Sequence, residues 1–242
     1  MIRLTGAELL KLRTTRTFWA LAGSAAGLVL LIVVLTLAID DQLNTPREVR
    51  DLLSSAGLSG LLTLVMGVVV GAGEYRHGTI ASTLLVTPNR LRAVAAQVTA
   101  CFLGGLAIAA ATVALALVVG LPWLASKDVL MPSAGDLAGD LGGGILYAGL
   151  AAALGAALGS LLRNQVAAVV TILVLIFVLE PTIGALLDGV APFTLTGLGA
   201  AMSGASGDDT DLLAPGVAAL IWACYASLLA MLAALRTAKR DI

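Results

Sequence analysis

Long stretches of this chain carry no charge at all, and that limits its fold more than any other feature. Phe18–Ile39, Leu52–Gly73, Ala93–Leu121, Leu141–Leu162 and Leu212–Leu235 contain no Asp, Glu, Lys or Arg. Each is long enough for the roughly 20 mainly apolar residues of a membrane-spanning helix. A sixth run, Asn164–Leu179, is slightly short and is completed by the residues around Glu180 and Pro181. Lipid offers no partner to backbone N–H and C=O groups, so such runs are expected to be helical. The expectation is an all-α membrane protein forming a single domain over residues 1–242, with spans at about 18–39, 52–73, 93–121, 141–162, 164–187 and 212–235.

Composition agrees. Hydrophobic residues make up 59% of the chain, charged residues 12%, and mean hydropathy is +1.01. A soluble domain carries about 25% charged residues. The net charge of −1 gives no basic face for nucleic acid. Cys101 and Cys224 sit in apolar runs without metal-ligand spacing, so they read as small buried hydrophobes.

The segment Gly189–Gly207 also lacks charge, but Pro192, its glycines and its Ser and Thr residues make a poor span. Thr182–Ser206 is therefore read as re-entrant or interfacial. Charge placement supports six spans. With the N-terminus inside, eleven of the fourteen basic residues fall in inner segments and twelve of the fifteen acids in outer ones. That is the distribution of the positive-inside rule, with both termini cytoplasmic. A seventh span would move the basic tail outside.

The first apolar run is too long for a signal-peptide core of 7–15 residues and is read as the first span. Before it, residues 1–17 mix Leu with Glu8, Lys11 and Arg13 and suggest an interfacial helix. Trp19 and Trp123 lie near span ends, where aromatic anchors are common. Gly23–Gly27, Gly67–Gly71 and Gly155–Gly159 are GxxxG pairs that allow close helix packing within or between subunits.

Several chemistries are missing. No GxxxxGK[ST] phosphate loop is present, no HExxH, and His77 is the only histidine. Enzyme chemistry in this chain is not expected, nor any cofactor bound by it. Ion-coupled carriers keep ionisable groups within the membrane, whereas the runs here hold essentially none. Glu180 is the exception, and two readings stay open for it: an acid at the headgroups, or a partly buried functional acid of an outer vestibule.

Polar chemistry gathers instead in Gly73–Arg92, "GEYRHGTIASTLLVTPNRLR", between the second and third spans. Glu74 to Leu85 can form a short helix, ended by Pro88 and Asn89. "GEYRHGTIASTLLVTPNRLRAVAAQ" resembles the loop signature of ABC-2 type permeases, the membrane subunits of a class of ABC exporters. The matching positions are Glu74, Arg76, Gly78, Thr79, Thr87, Pro88 and Arg90. "AELLKLRTTRTFWALA" is similar to the family's opening, with Glu8 and Lys11, and "RTAKRDI" resembles its ending.

The resemblance implies a permease without its own ATPase. The loop would be a coupling helix docking on a separate ATP-binding cassette subunit, which holds ATP and Mg. Glu74 would be central, supported by Tyr75, Arg76, His77, Gly78 and Thr79, with the N-terminal helix against the same subunit. A second permease copy or a sister permease would complete the pathway. The Ala- and Gly-rich composition suits a bacterial cytoplasmic membrane. Few aromatics and short outer loops point to a hydrophobic or amphiphilic cargo (drug, antibiotic, peptide or lipid). The alternatives are an ion-coupled carrier and a non-transporting scaffold or sensor subunit.

Overall fold

Alanine and glycine dominate the fourth apolar run, and small side chains let helix backbones approach one another closely. That run forms the centre of the molecule. The computed structural model describes residues 2–39, 45–55, 59–76, 90–126, 131–187, 189–204 and 212–238. Among them there is no strand, and six helical segments are long and apolar enough to cross a membrane.

The elements are α1 (Ile2–Thr14), α2 (Arg16–Ile39), α3 (Pro46–Ser54), α4 (Ser59–Arg76), α5 (Arg90–Ser126), α6 (Ala134–Leu162) and α7 (Gln165–Val174). A π-helical turn, Leu175–Leu179, runs on from α7 into α8 (Glu180–Leu186). A 3₁₀ turn (Ala191–Phe193), α9 (Leu195–Ser203) and α10 (Pro215–Ala238) follow. Helix α6 packs against α4, α5, α9 and α10.

The α4–α6 contact joins two of the three GxxxG pairs. A Cβ at Gly67 would strike the Ala152 carbonyl, and one at Gly71 the Ala156 carbonyl. In return, a Cβ at Gly155 or Gly159 would strike the carbonyl of Leu64 or Val68. The third pair behaves differently: Gly23 and Gly27 face outward from α2, with no atom near the position of a Cβ. Leu64, Val68, Leu154, Leu198, Met202 and Trp222 form the largest buried cluster around α6.

Helix boundaries depart from the sequence expectation at the second, third and fourth spans. Leu52–Ser54, expected at the start of the second span, belong to α3, a short amphipathic helix with its own capping box. Thr45 Oγ1 accepts from the Glu48 N–H, and the Glu48 carboxylate accepts from the Thr45 N–H at 3.0 Å. Helix α5, Arg90–Ser126, extends beyond both ends of the expected span at 93–121. Helix α6 starts at Ala134 rather than near Leu141, because Ser133 caps it and Asp136 sits in its first turn. Cys101 is buried as expected, but Cys224 is exposed on the outward face of α10 near Leu220 and Leu228.

Replacing Gly67 or Gly155 by Leu is predicted to cost about 3 kcal/mol or more, since backbone atoms cannot move aside as a side-chain end can. Gly23→Leu should stay within about 0.5 kcal/mol. Unfolding of the three variants in one detergent tests both predictions.

Candidate functional site

The end of the bundle where α4 finishes gathers the basic residues. Lys11 and Arg13 on α1, Arg76 on α4, Arg163 after α6 and Arg236 on α10 all belong to it. The opposite end holds Asp51, Asp136, Asp140 and Glu180, with Arg50 held by Asp140 (Arg50 Nη2 donates to Asp140 Oδ1 at 2.8 Å).

At the basic end, Lys11 Nζ lies 2.7 Å from Glu8 Oε1 and 2.8 Å from Glu74 Oε1. One ammonium thus joins α1 to the last turn of α4. The spacing of Glu8 and Lys11 turns both side chains to one face of α1, where Leu12 is buried and belongs to the same cluster as Met66, Ala100 and Cys101. Glu8 is itself buried. Desolvation raises its carboxyl above the usual 4.5, against the hydrogen bond from Lys11. Burial lowers the Lys11 ammonium, but hydrogen bonds and charge from Glu74 and Glu8 outweigh it and hold its pKa above the usual 10.5.

The neighbouring residues make further ties. Arg76 Nη1 donates to Gln165 Oε1 at 2.9 Å, linking α4 to the first turn of α7. The Arg163 guanidinium carbon sits 5.0 Å from the centre of the Tyr75 ring, a cation–π contact. Arg163 takes a left-handed backbone (φ 58°), which turns the chain sharply from α6 into α7. Asn164 then caps α7 by accepting from the Ala167 N–H. Arg236 Nη1 donates to the Leu161 carbonyl at 2.9 Å, fastening α10 to the end of α6.

The residues singled out from sequence at this end therefore divide into four groups. Glu8, Lys11 and Glu74 come together. Tyr75 and Arg76 adjoin them, while Arg13 is exposed and offers its carbonyl to Trp19 Nε1 at 2.8 Å. His77, Gly78 and Thr79 lie outside the described residues, as do Thr87 and Pro88. Glu74 to Arg76 belong to α4, which continues past Gly73, and the rest of the expected helix, residues 77–85, lies outside the described residues.

A cavity of about 560 Å³ opens beside the Lys11 pairs. Its walls include Glu8, Lys11, Glu74 and Arg76 as well as Phe18 and Met66. Gln97, the one amide in its apolar run, also reaches this cavity. Its side-chain nitrogen donates to the Val70 carbonyl at 3.4 Å, and its oxygen lies 2.9 Å from Ser160 Oγ. The sequence reading passed over Gln97, Ser160, Arg163 and Gln165. A lone Gln inside a charge-free run was the available signal for the first of these.

Glu180 is not at a headgroup-exposed helix end. It is buried, in a helix that continues through Pro181 to Leu186. Its carboxylate accepts from the Leu195 N–H at 2.7 Å, the Thr196 N–H at 3.1 Å and Thr196 Oγ1 at 2.6 Å. It thereby anchors the N-terminus of α9. No protein-family model matches the chain, and no curated protein matches it.

Lys11→Met and Glu74→Gln should show a coupling of about 1 kcal/mol or less in a double-mutant cycle, since Lys11 is half exposed. The sign with pH follows from the raised Lys11 pKa. Its contribution to stability is complete below 10.5 and is lost as pH rises through the higher folded value. Unfolding curves of the four proteins from pH 7 to 11 test this.

Proposed function

We propose that this chain is the membrane subunit of an ATP-driven transporter of the ABC-2 type, powered by a separate ATP-binding subunit. The single observation that carries the reading is the Glu8–Lys11–Glu74 junction with Arg76–Gln165 beside it. These contacts tie α1, α4 and α7 together immediately before residues 77–89, which hold Gly78, Thr79, Thr87 and Pro88 of the resemblance. A force applied to that segment reaches the N-terminal helix α1 and the second and fifth spans through direct polar contacts.

In this mechanism the ATP-binding subunit docks on the segment after α4 and on α1. Nucleotide binding and hydrolysis change the docking contacts, and a two-state change needs such differential contact. Helix α4 shifts with Glu74. Because α4 and α6 meet backbone to backbone, α6 moves with it as one body. Two such bundles, from two copies or sister permeases, rock about their shared pathway and release a hydrophobic or amphiphilic cargo. The basic end faces the cytoplasm, in line with the positive-inside rule. The α8–α9 segment, held by Glu180, closes the outer end.

Glu180 and Asp140 give little support to an ion-coupled carrier, because both carboxylates are already satisfied by fixed donors. The absent ATP site needs a partner, and the polar segment after α4 offers it a place to bind.

The native chain, purified in mild detergent, should carry a P-loop ATPase in stoichiometric amount. Glu74→Ala should lower cargo-stimulated ATP hydrolysis by about tenfold, as expected for losing a charge-assisted contact. Lys11→Met is the companion variant, since it breaks the internal pair but keeps the Glu74 carboxylate. A native chain that always purifies alone, under conditions that hold known permease complexes together, would overturn the proposal.

A further inference from the structure

At the end of the bundle opposite Glu74, a second cavity of about 440 Å³ is lined by five separate elements. Its apolar walls are Leu61 from α4, Tyr147 from α6, Ile176 and Phe177 from the π-helical turn, and Ala200 from α9. Asp51, Ser54 and Ser55 from the end of α3 complete it, with Thr196 and Ser203 of α9. The volume falls in the usual range for small-molecule sites, as does an apolar lining with a few polar groups.

The position of each wall has a cause. The Tyr147 ring fits because two glycines clear space for it: a Cβ at Gly60 or at Gly199 would overlap the ring. Trp222 supports it edge to face at 5.3 Å. Helix α9 is fixed at its start by Glu180 and at its end by Gly204, where a Cβ would overlap the Asp140 carboxyl. Asp140 in turn holds Arg50, which sets α3 against α6. The π-helical turn brings Ile176 and Phe177 into the lining, and single π turns within helices recur at functional sites.

Two features define the ligand chemistry. Ser54 is buried at 5% exposure, and its hydroxyl, like that of Ser55, has no hydrogen-bond partner among the described residues. A buried polar group is costly to leave unsatisfied, so these hydroxyls favour a ligand that bonds to them. The only charged residue among the described lining is the acid Asp51, with no Lys or Arg in the walls. Two aromatic side chains add favourable sites for a cation.

We propose that this cavity binds a protonated amine carried on a compact apolar body. The ammonium N–H groups donate to the Ser54 and Ser55 oxygens within reach of the Asp51 charge, and the apolar body lies among Leu61, Tyr147, Ile176 and Phe177. The binding site stands on its own geometry, whereas naming its ligand as the cargo rests on the transport reading above.

The test is binding of radiolabelled propranolol, a naphthyl amine, to the full chain in nanodiscs of zwitterionic lipid, with no ATPase or nucleotide present. Failure here would thus leave the transport reading standing, and loss of the ATPase partner would leave this site standing. The expected result is saturable binding of one amine per chain above the empty-disc blank. Asp51→Asn should weaken it about tenfold through the lost charge, and Ala200→Phe should abolish it by filling the cavity. Val118→Ala, on the exposed face of α5, should leave it unchanged. 1-Naphthoxyacetate, with a similar ring and opposite charge, should not compete. Binding no greater than the blank, native affinity in Asp51→Asn, or equal competition by the anion would overturn the proposal. Asp51→Asn is close to isosteric, so the test does not depend on Ala200→Phe folding.

Discussion

Backbone lies directly on backbone where α4 meets α6, and the rest of the bundle is arranged around that contact. Lipid tails are as apolar as leucine, so helices in a membrane gain little by hiding hydrophobic side chains from their surroundings. They gain by close packing. Four glycines supply it here, each set against a carbonyl of the facing helix. With the two helices locked, α6 presents its other faces to α5, α9 and α10, and α4 delivers Glu74 to one end of the bundle. Under the transport reading, a motion imposed on Glu74 carries α4 and α6 together.

The polar contacts are sorted by end. At the basic end, Lys11, Arg76, Arg163 and Arg236 each fasten one helix to another. At the acidic end, Asp140 and Glu180 act as fixed acceptors for a side chain and for a helix N-terminus. Both ends contain a cavity, and the two differ in charge. The one beside Lys11 mixes acids and bases, whereas the one beneath α3 has a single acid. Under the transport reading they lie at the two faces of the membrane.

Much of the fold was legible in the sequence because lipid imposes a blunt rule of length and polarity. The number of apolar helices followed from the charge-free runs together with charge placement, which set Gly189–Gly207 aside. Their ends were less visible, since caps decide them. The Thr45–Glu48 capping box was readable as T-x-x-E, but an apolar run that crosses the α3 boundary concealed it. GxxxG pairs were visible too, yet the same pattern at Gly23–Gly27 faces outward. A spacing cannot say which neighbour a helix face will meet. Glu8 and Lys11 read as neighbours on one helix turn, whereas the Lys11–Glu74 bond joins residues 63 apart in sequence. The partners of Glu180, on another helix, left no local signature. Nor did the cavity beneath α3, which needs five elements placed by tertiary packing.

If the segment following α4 docks a motor subunit, a photo-crosslinker placed in that segment should capture it. Benzoylphenylalanine would be placed at Thr79 in the full chain, illuminated in membranes and the adducts identified by mass spectrometry. The predicted result is one dominant adduct with a P-loop ATPase, lost in the Glu74→Ala background. Adducts with lipid or with this same chain alone, at full occupancy of the probe, would contradict the claim.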